Sequence, residues 1–178
     1  MKHFFQQLKE RLANKAGMTT LEVAISVIIV LMALGGFVDM VNTSQKLDTA
    51  SSVTGYVGRV VANQGGVRTA PTVHHVGNYV TSDQLYREVS MILKNGGVPE
   101  EDFKLLINNK VIKPGTNLPL QDFGKRMKVE LKVAYRWDMI SQLVPGDMEG
   151  EKVSSREVIS SFKVRQGNIE SEYGAPTP

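Results

Sequence analysis

The residues best suited to chemistry lie where a basic leader meets an apolar run. Gly17 is followed by Met18-Thr19-Thr20-Leu21-Glu22, and Glu22 is an acidic residue at the start of a stretch of membrane length. A charged side chain at mid-membrane costs roughly 2.5–3.5 kcal/mol on insertion scales. If the chain were cut after Gly17, the new amine of Met18 would lie about 6 Å from Glu22 along a helix axis. We therefore expect Glu22 to pair with that amine, in its own chain or in the next subunit of an assembly. The alternative is that Glu22 only extends to the lipid headgroups.

The apolar run and the leader suggest a membrane anchor with a defined orientation. Residues 23–38 carry only Ser26 as a polar interruption, and the run counted from Met18 is long enough to cross a hydrocarbon core of roughly 30 Å. The leader, residues 1–17, has four basic residues against Glu10, a net charge of +3 that equals the net charge of the whole chain. An excess of Lys and Arg beside a span predicts a cytoplasmic leader and an extracytoplasmic remainder.

Charge and composition exclude several other functions. The part after residue 17 is neutral overall, so no basic patch indicates direct nucleic-acid binding. The chain has no cysteine, which excludes disulfides, thiolate catalysis and cysteine-based zinc sites. Three interpretations of residues 1–40 then remain. They are a secretory signal peptide cut near Ala33-Leu34-Gly35, an uncleaved single-span anchor, or a leader cut on the cytoplasmic side after Gly17.

The order Gly17, Met18 and Glu22 resembles the class III signal sequence of type IV pilins and pseudopilins. In that family the glycine precedes the cut, an apolar residue follows it, and glutamate is the fifth mature residue. The resemblance implies cleavage between Gly17 and Met18 by a prepilin peptidase, N-methylation of Met18, and assembly through Glu22. Methionine departs from the usual phenylalanine at the first mature position. Further implied partners are other pilin subunits, an inner-membrane assembly platform and membrane lipid, with the subunit passing from the cell membrane to a pilus or the cell surface.

Within the superfamily, the chain resembles TadE-type pseudopilins and pilin-like proteins of Gram-positive conjugative elements. Four features carry this likeness: Val38-Asp39 closing the apolar segment, the run 47–59, Phe123-Gly124, and Ser171-Glu172-Tyr173. The paired C-terminal cysteines of many Gram-negative major pilins are missing. The likeness implies a subunit of a pilus, secretion or conjugation apparatus.

The patterning predicts an α+β fold, in which a long N-terminal helix, half membrane segment and half amphipathic, carries a small head. Apolar residues from Leu47 to Val61 recur at steps of three and four, which predicts one helix over residues 18–63. The predicted divisions are a leader (1–17), a membrane and spine helix (18–63), and an extracytoplasmic head with a mobile C-terminal tail (64–178). Gly35-Gly36 predicts either a point where the helix bends or melts, or a packing seam in a filament.

The head is predicted to contain one short helix and three or four antiparallel strands. Ser82 is the expected N-cap of the helix, and Asn95-Gly96-Gly97 its end. A hairpin is expected at Asn108-Asn109, between strands 103–107 and 111–112. Alternation predicts a strand over 127–137 with one buried face, and a last strand over 152–164.

The sequence offers no convincing catalytic or metal site. Glu100 and Glu101 lie in polar surroundings, and Ser154-Ser155 lacks a nucleophile elbow. Adjacent His74 and His75 cannot easily face one metal, so neither an enzyme nor a cofactor is expected. The competing interpretation is an uncleaved single-span protein with an extracytoplasmic ligand-binding module. Its aromatic patch would be Tyr135 to Trp137, although a lone Trp beside an alternating strand more often belongs to a core.

Overall fold

The computed structural model describes residues 15–71, 78–141 and 149–163, with residues 15–18 described by their backbone alone. The described chain has a long N-terminal helix followed by a short helix and a four-stranded antiparallel sheet, so the predicted α+β class is confirmed. The elements in order are α1 (Lys15–Gln64), α2 (Ser82–Asn95), β1 (Phe103–Ile107), β2 (Lys110–Val111), β3 (Arg126–Arg136), α3 (Asp138–Ser141) and β4 (Glu149–Ile159), with a 3₁₀ turn at Glu100–Asp102. The predictions for His74, His75, Val164 and the tail fall outside the described residues.

Helix α1 is continuous through Gly35-Gly36, so the expectation that the helix melts there is wrong. The predicted helix over residues 18–63 is otherwise confirmed, since α1 includes all of it. The helix ends where Gly65 adopts φ +71°, a left-handed conformation that glycine enters without steric cost.

The chain divides into two compact units, and α1 contributes to both. The described part of the first, the N-terminal unit, comprises residues 15–42 and 137–141. The described part of the second, the head unit, comprises residues 43–71, 78–136 and 149–163.

The core of the head unit is built from one stripe of α1, one stripe of α2 and one face of the sheet. The predicted spacing of three and four residues is confirmed for α1 from Ala50 to Val61, and the buried positions of α2 follow the same spacing. The buried side chains from the helices are Ala50, Val53, Val57, Val61, Leu85, Val89 and Leu93. The sheet contributes Phe103, Leu105, Ile107, Met127, Val129, Leu131 and Val133.

The sheet has the order β2-β1-β3-β4, with every neighbouring pair antiparallel. Leu105 of β1 lies opposite Leu131 of β3, and Leu131 lies opposite Ser154 of β4. The alternation predicted for β3 is confirmed from Met127 to Val133. The strand begins and ends one residue earlier than predicted.

The predicted last strand is misplaced, because β4 begins at Glu149 and ends at Ile159. Ser160 and Ser161 leave the ladder with β3: the Ser160 N–H donates to Lys125 O, and the Ser161 N–H donates to Ala62 O of α1. Each of these bonds is 2.8 Å long, and together they turn the chain onto the end of α1. Ser160 and Phe162 are nevertheless buried.

The hairpin at Asn108-Asn109 is confirmed despite the missing glycine. Both residues have positive φ, 48° and 64°, which is the requirement of a type I′ turn and a conformation that asparagine tolerates. The Asn108 side-chain oxygen also accepts from Lys128 N at 2.9 Å, which ties the turn to β3. Strand β2 starts at Lys110, one residue earlier than predicted.

The N-cap of α2 is Thr81, so the prediction of Ser82 is wrong. Thr81 has extended backbone, and its hydroxyl accepts from Gln84 N at 3.2 Å while the Gln84 side chain accepts from Thr81 N at 3.1 Å. This reciprocal capping box satisfies two N–H groups of the first turn. Ser82 is instead the first helical residue and is fully buried.

Candidate functional site

The predicted cleavage site lies in the first turns of α1. Gly17 and Met18 both have helical backbone. A glycine in a helix costs about 1 kcal/mol relative to alanine, so this turn is easier to unwind than the apolar turns that follow. A peptidase that needs an extended substrate would therefore meet the least resistance at Gly17.

Glu22 is exposed on α1, about 6 Å along the axis from Met18 at 1.5 Å per residue. The helix thus places Glu22, the predicted assembly residue, about one turn after Met18, the predicted first residue after the cut. From Thr19 onward α1 is long and apolar enough to cross a membrane, with a mean hydropathy of 2.5 in its most apolar stretch. Its large side chains there are exposed, including Ile25, Ile29 and Leu34. Within the described chain, this surface is apolar without being covered by protein.

The second constellation in the N-terminal unit surrounds Asp39, which sequence reasoning did not single out as a site. Asp39 is only 3% exposed although it directly follows the apolar run. Its carboxylate oxygens accept from the backbone N–H of Met139 at 3.0 and 3.1 Å and of Ile140 at 2.8 Å. Hydrogen bonds to an ionised acceptor are stronger than neutral ones. They compensate the desolvation of Asp39 and fasten α3 to α1.

Gly35 and Gly36 make room for this contact. A Cβ on Gly36 would lie 2.9 Å from Ile140 Cδ1, and a Cβ on Gly35 would lie 3.5 Å from Met139 Cβ. The glycine pair therefore lets α3 approach α1 closely within one chain. Neither predicted explanation included this intramolecular contact, and a seam between subunits remains a prediction.

Trp137 is half-buried and is not a member of the head core, so the core interpretation is wrong. It belongs to the N-terminal unit, where its carbonyl accepts from Ser141 N at 3.2 Å. Its indole N–H is shielded and has no hydrogen-bond acceptor among the described residues. No periodicity links Trp137 or α3 to Asp39, since the partners are about a hundred residues apart in sequence.

The head unit also has an open groove of about 480 Å³ beside α2. Charges of both signs line it, among them Asp83, Arg87, Lys94 and Glu100. The side chain of Tyr86 hydrogen bonds to Glu100 at this groove, and burial, followed by that bond and the nearby negative charge, raises the pKa of Tyr86. The mixed charges give the groove no clear preference for an anion or a cation.

The described residues contain no group of three or more His, Asp or Glu side chains placed to hold a metal ion. Comparison of the chain with protein-family models, with curated proteins and with solved structures finds no match in any of the three.

Proposed function

We propose that this protein is a pilin or pseudopilin subunit, cut after Gly17 and assembled through α1 into a pilus, secretion or conjugation apparatus. The observation that carries the proposal is the order Gly17, Met18 and Glu22 at the start of α1, ahead of an exposed apolar surface. A basic leader holds the amino end in the cytoplasm, and the head unit lies outside. The prepilin peptidase, neighbouring subunits and the assembly platform are the partners of this cycle.

The physical support comes from the mismatch between Glu22 and its surroundings. The residues after Glu22 offer lipid-compatible side chains, yet the carboxylate itself is costly in lipid. An amine created at Met18 would offset that cost within the subunit. In a stack of subunits the amine of a neighbour would do the same and fix the axial register of the helices.

Cleavage is tested by the intact mass of the protein isolated from its native membrane. We expect the mass of residues 18–178, increased by one methyl group if Met18 is methylated. Gly17→Ala should retain the leader and abolish surface assembly. Gly35→Ala is the matched control, because a Cβ there meets Met139 at an ordinary contact distance of 3.5 Å. A full-length wild-type protein would contradict the proposal and favour the uncleaved single-span protein with a binding module.

The role of Glu22 is tested separately from cleavage. Glu22→Gln keeps the size of the side chain and removes its charge, so it should be cleaved normally yet assemble at least about tenfold less, as loss of roughly 1.4 kcal/mol would give. Ser26→Ala, one turn further along α1, is the control and should assemble normally. Wild-type filament yield from Glu22→Gln, measured by shearing and immunoblotting, would exclude a charge-based role.

A further inference from the structure

We infer that the segment 137–141, comprising Trp137 and α3, is a second lipid-contacting element that rests in the interface of the outer leaflet. This inference rests on the proposed membrane insertion of α1. It adds a contact surface distant in sequence from the anchor, with zwitterionic phospholipid as its partner.

The position of Asp39 sets the depth of this segment. From Met18 to Asp39 the helix rises about 32 Å at 1.5 Å per residue. A bilayer hydrocarbon core is about 30 Å thick. With Met18, the first residue after the proposed cut, at the inner boundary, Asp39 therefore reaches the outer boundary. Met139 and Ile140, hydrogen bonded to Asp39 through their backbone, lie at the same level.

The Asp39 contact makes this level compatible with lipid. An unpaired carboxylate or a bare backbone N–H at the edge of the hydrocarbon region would each be costly. Here the carboxylate is buried and accepts from two N–H groups of α3, so each group satisfies the other. The segment and α1 can thus enter the interface together without leaving the Asp39 carboxylate or these N–H groups unpaired.

The surface left after this contact is apolar on both elements. Met139 is 47% exposed on the segment, while Phe37 is 65% and Met40 59% exposed on the adjoining turns of α1. The half-buried ring of Trp137 belongs to the same segment, and its indole N–H is shielded. These side chains extend the lipid-facing surface of α1 instead of forming a separate patch.

Charge identifies the lipid class. The segment 137–141 contains no Lys or Arg, and its one charged residue is Asp138, which is exposed. The segment itself therefore offers anionic headgroups no basic side chain, the feature on which such attraction depends. The driving force for lipid contact is therefore the burial of apolar surface, which a neutral phosphatidylcholine bilayer can provide.

The chain carries its own probe, because Trp137 is its only tryptophan. We would reconstitute the full chain in phosphatidylcholine vesicles containing a lipid with a fluorescence quencher attached either near the headgroup or near the chain end. Trp137 emission should be quenched about threefold more strongly by the shallow label than by the deep one, as expected for an interfacial ring. Quenching by acrylamide from the water should fall relative to the protein in denaturant.

A displaced segment provides the matched comparison. Gly36→Leu forces a side chain into Ile140, whose Cδ1 would lie 2.9 Å from the new Cβ. This variant should lose the preference for the shallow label and regain acrylamide quenching. Ala33→Leu, at an exposed position on the same helix, should behave like the wild type.

Each failure has a distinct signature. Flotation with the vesicles, combined with equal quenching by both labels and strong acrylamide quenching, would overturn the inference while leaving the anchor intact. Failure to float with the vesicles would instead contradict the membrane insertion on which the proposed function depends.

Discussion

At the residue scale, Tyr56 and Glu88 form a polar link between α1 and α2 inside the head unit. The Tyr56 hydroxyl donates to the Glu88 carboxylate. Burial, then this hydrogen bond and the charge of Glu88, raise the pKa of Tyr56 from 10.0 to about 12. The folded state therefore holds the phenolic proton more tightly than the unfolded state does. Its contribution to stability is complete below pH 10 and is lost as the pH rises from 10 towards 12.

Tyr56→Phe should flatten this alkaline loss of stability. The variant cannot ionise at position 56, so its urea midpoint should fall less between pH 10 and 12 than that of the wild type. The measurement is urea unfolding of the detergent-solubilised chain followed by circular dichroism across that range. Tyr135→Phe, on β3, is the control and should follow the wild type. Identical slopes for wild type and Tyr56→Phe would show that the Glu88 link does not couple folding to the tyrosine proton.

At the scale of elements, the sequence correctly predicted the features that depend on the periodic burial of apolar residues along one helix or strand. The alternation of β3 and the three-to-four spacing in α1 survive because each follows from burial of one face. The C-terminal end of β4 was missed because it depends on bonds from Ser160 and Ser161 to distant carbonyls. The candidate site divides in the same way: the Gly17–Glu22 pattern is legible in sequence, whereas the Asp39 contact with α3 requires the folded chain.

Two glycines, Gly55 inside α1 and Gly96 at the C-cap of α2, should respond oppositely to alanine. At Gly55 a Cβ would meet only Arg156 Nη1, at 2.9 Å, and that guanidinium end can move. Gly55→Ala should therefore stabilise the head by up to about 1 kcal/mol through helix propensity. At Gly96 a Cβ would meet three atoms of Thr49 within 3.0 Å, including its Cβ, so rotating the threonine cannot clear the clash. Gly96→Ala should destabilise by about 1–3 kcal/mol.

Thermal unfolding of both variants in detergent measures the contrast. The double variant Gly96→Ala with Thr49→Ala should recover part of the loss, because it removes two of the three atoms responsible for the clash and leaves only the Cβ of residue 49. Simple additivity of the two single changes would show that Thr49 is not the obstacle. A loss of stability in Gly55→Ala would mean that the Arg156 end is held in place.

At the scale of the whole molecule, β4 presents an outer strand eleven residues long in the described sheet. Exposed Val153 and Ile159 on this strand would favour pairing with another chain, while Glu151 and Glu157 oppose it. Glu151 lies 3.2 Å from Lys132, and Glu157 lies 3.9 Å from Arg126. Both ion pairs are exposed, so they contribute little to stability. We interpret the charges as protection of the strand edge.

Replacing both Glu151 and Glu157 by valine should promote self-association with little change in folding stability. The double variant would lower the charge of the edge and raise its strand propensity. Sedimentation of the detergent-solubilised protein should reveal larger species, and Ser155→Ala on the same face should remain like the wild type. A monomeric double variant would place the barrier to pairing elsewhere on the edge.

The placement of Met139 makes the proposed membrane contact of segment 137–141 vulnerable to oxidation. Its thioether is exposed, whereas that of Met127 is sealed in the head core. Peroxide would convert Met139 to a polar, chiral sulfoxide well before it reached Met127. Oxidation of Met139 would then weaken the proposed contact of segment 137–141 with the bilayer, whereas the head unit would stay folded. Methionine sulfoxide reductases would reverse this modification.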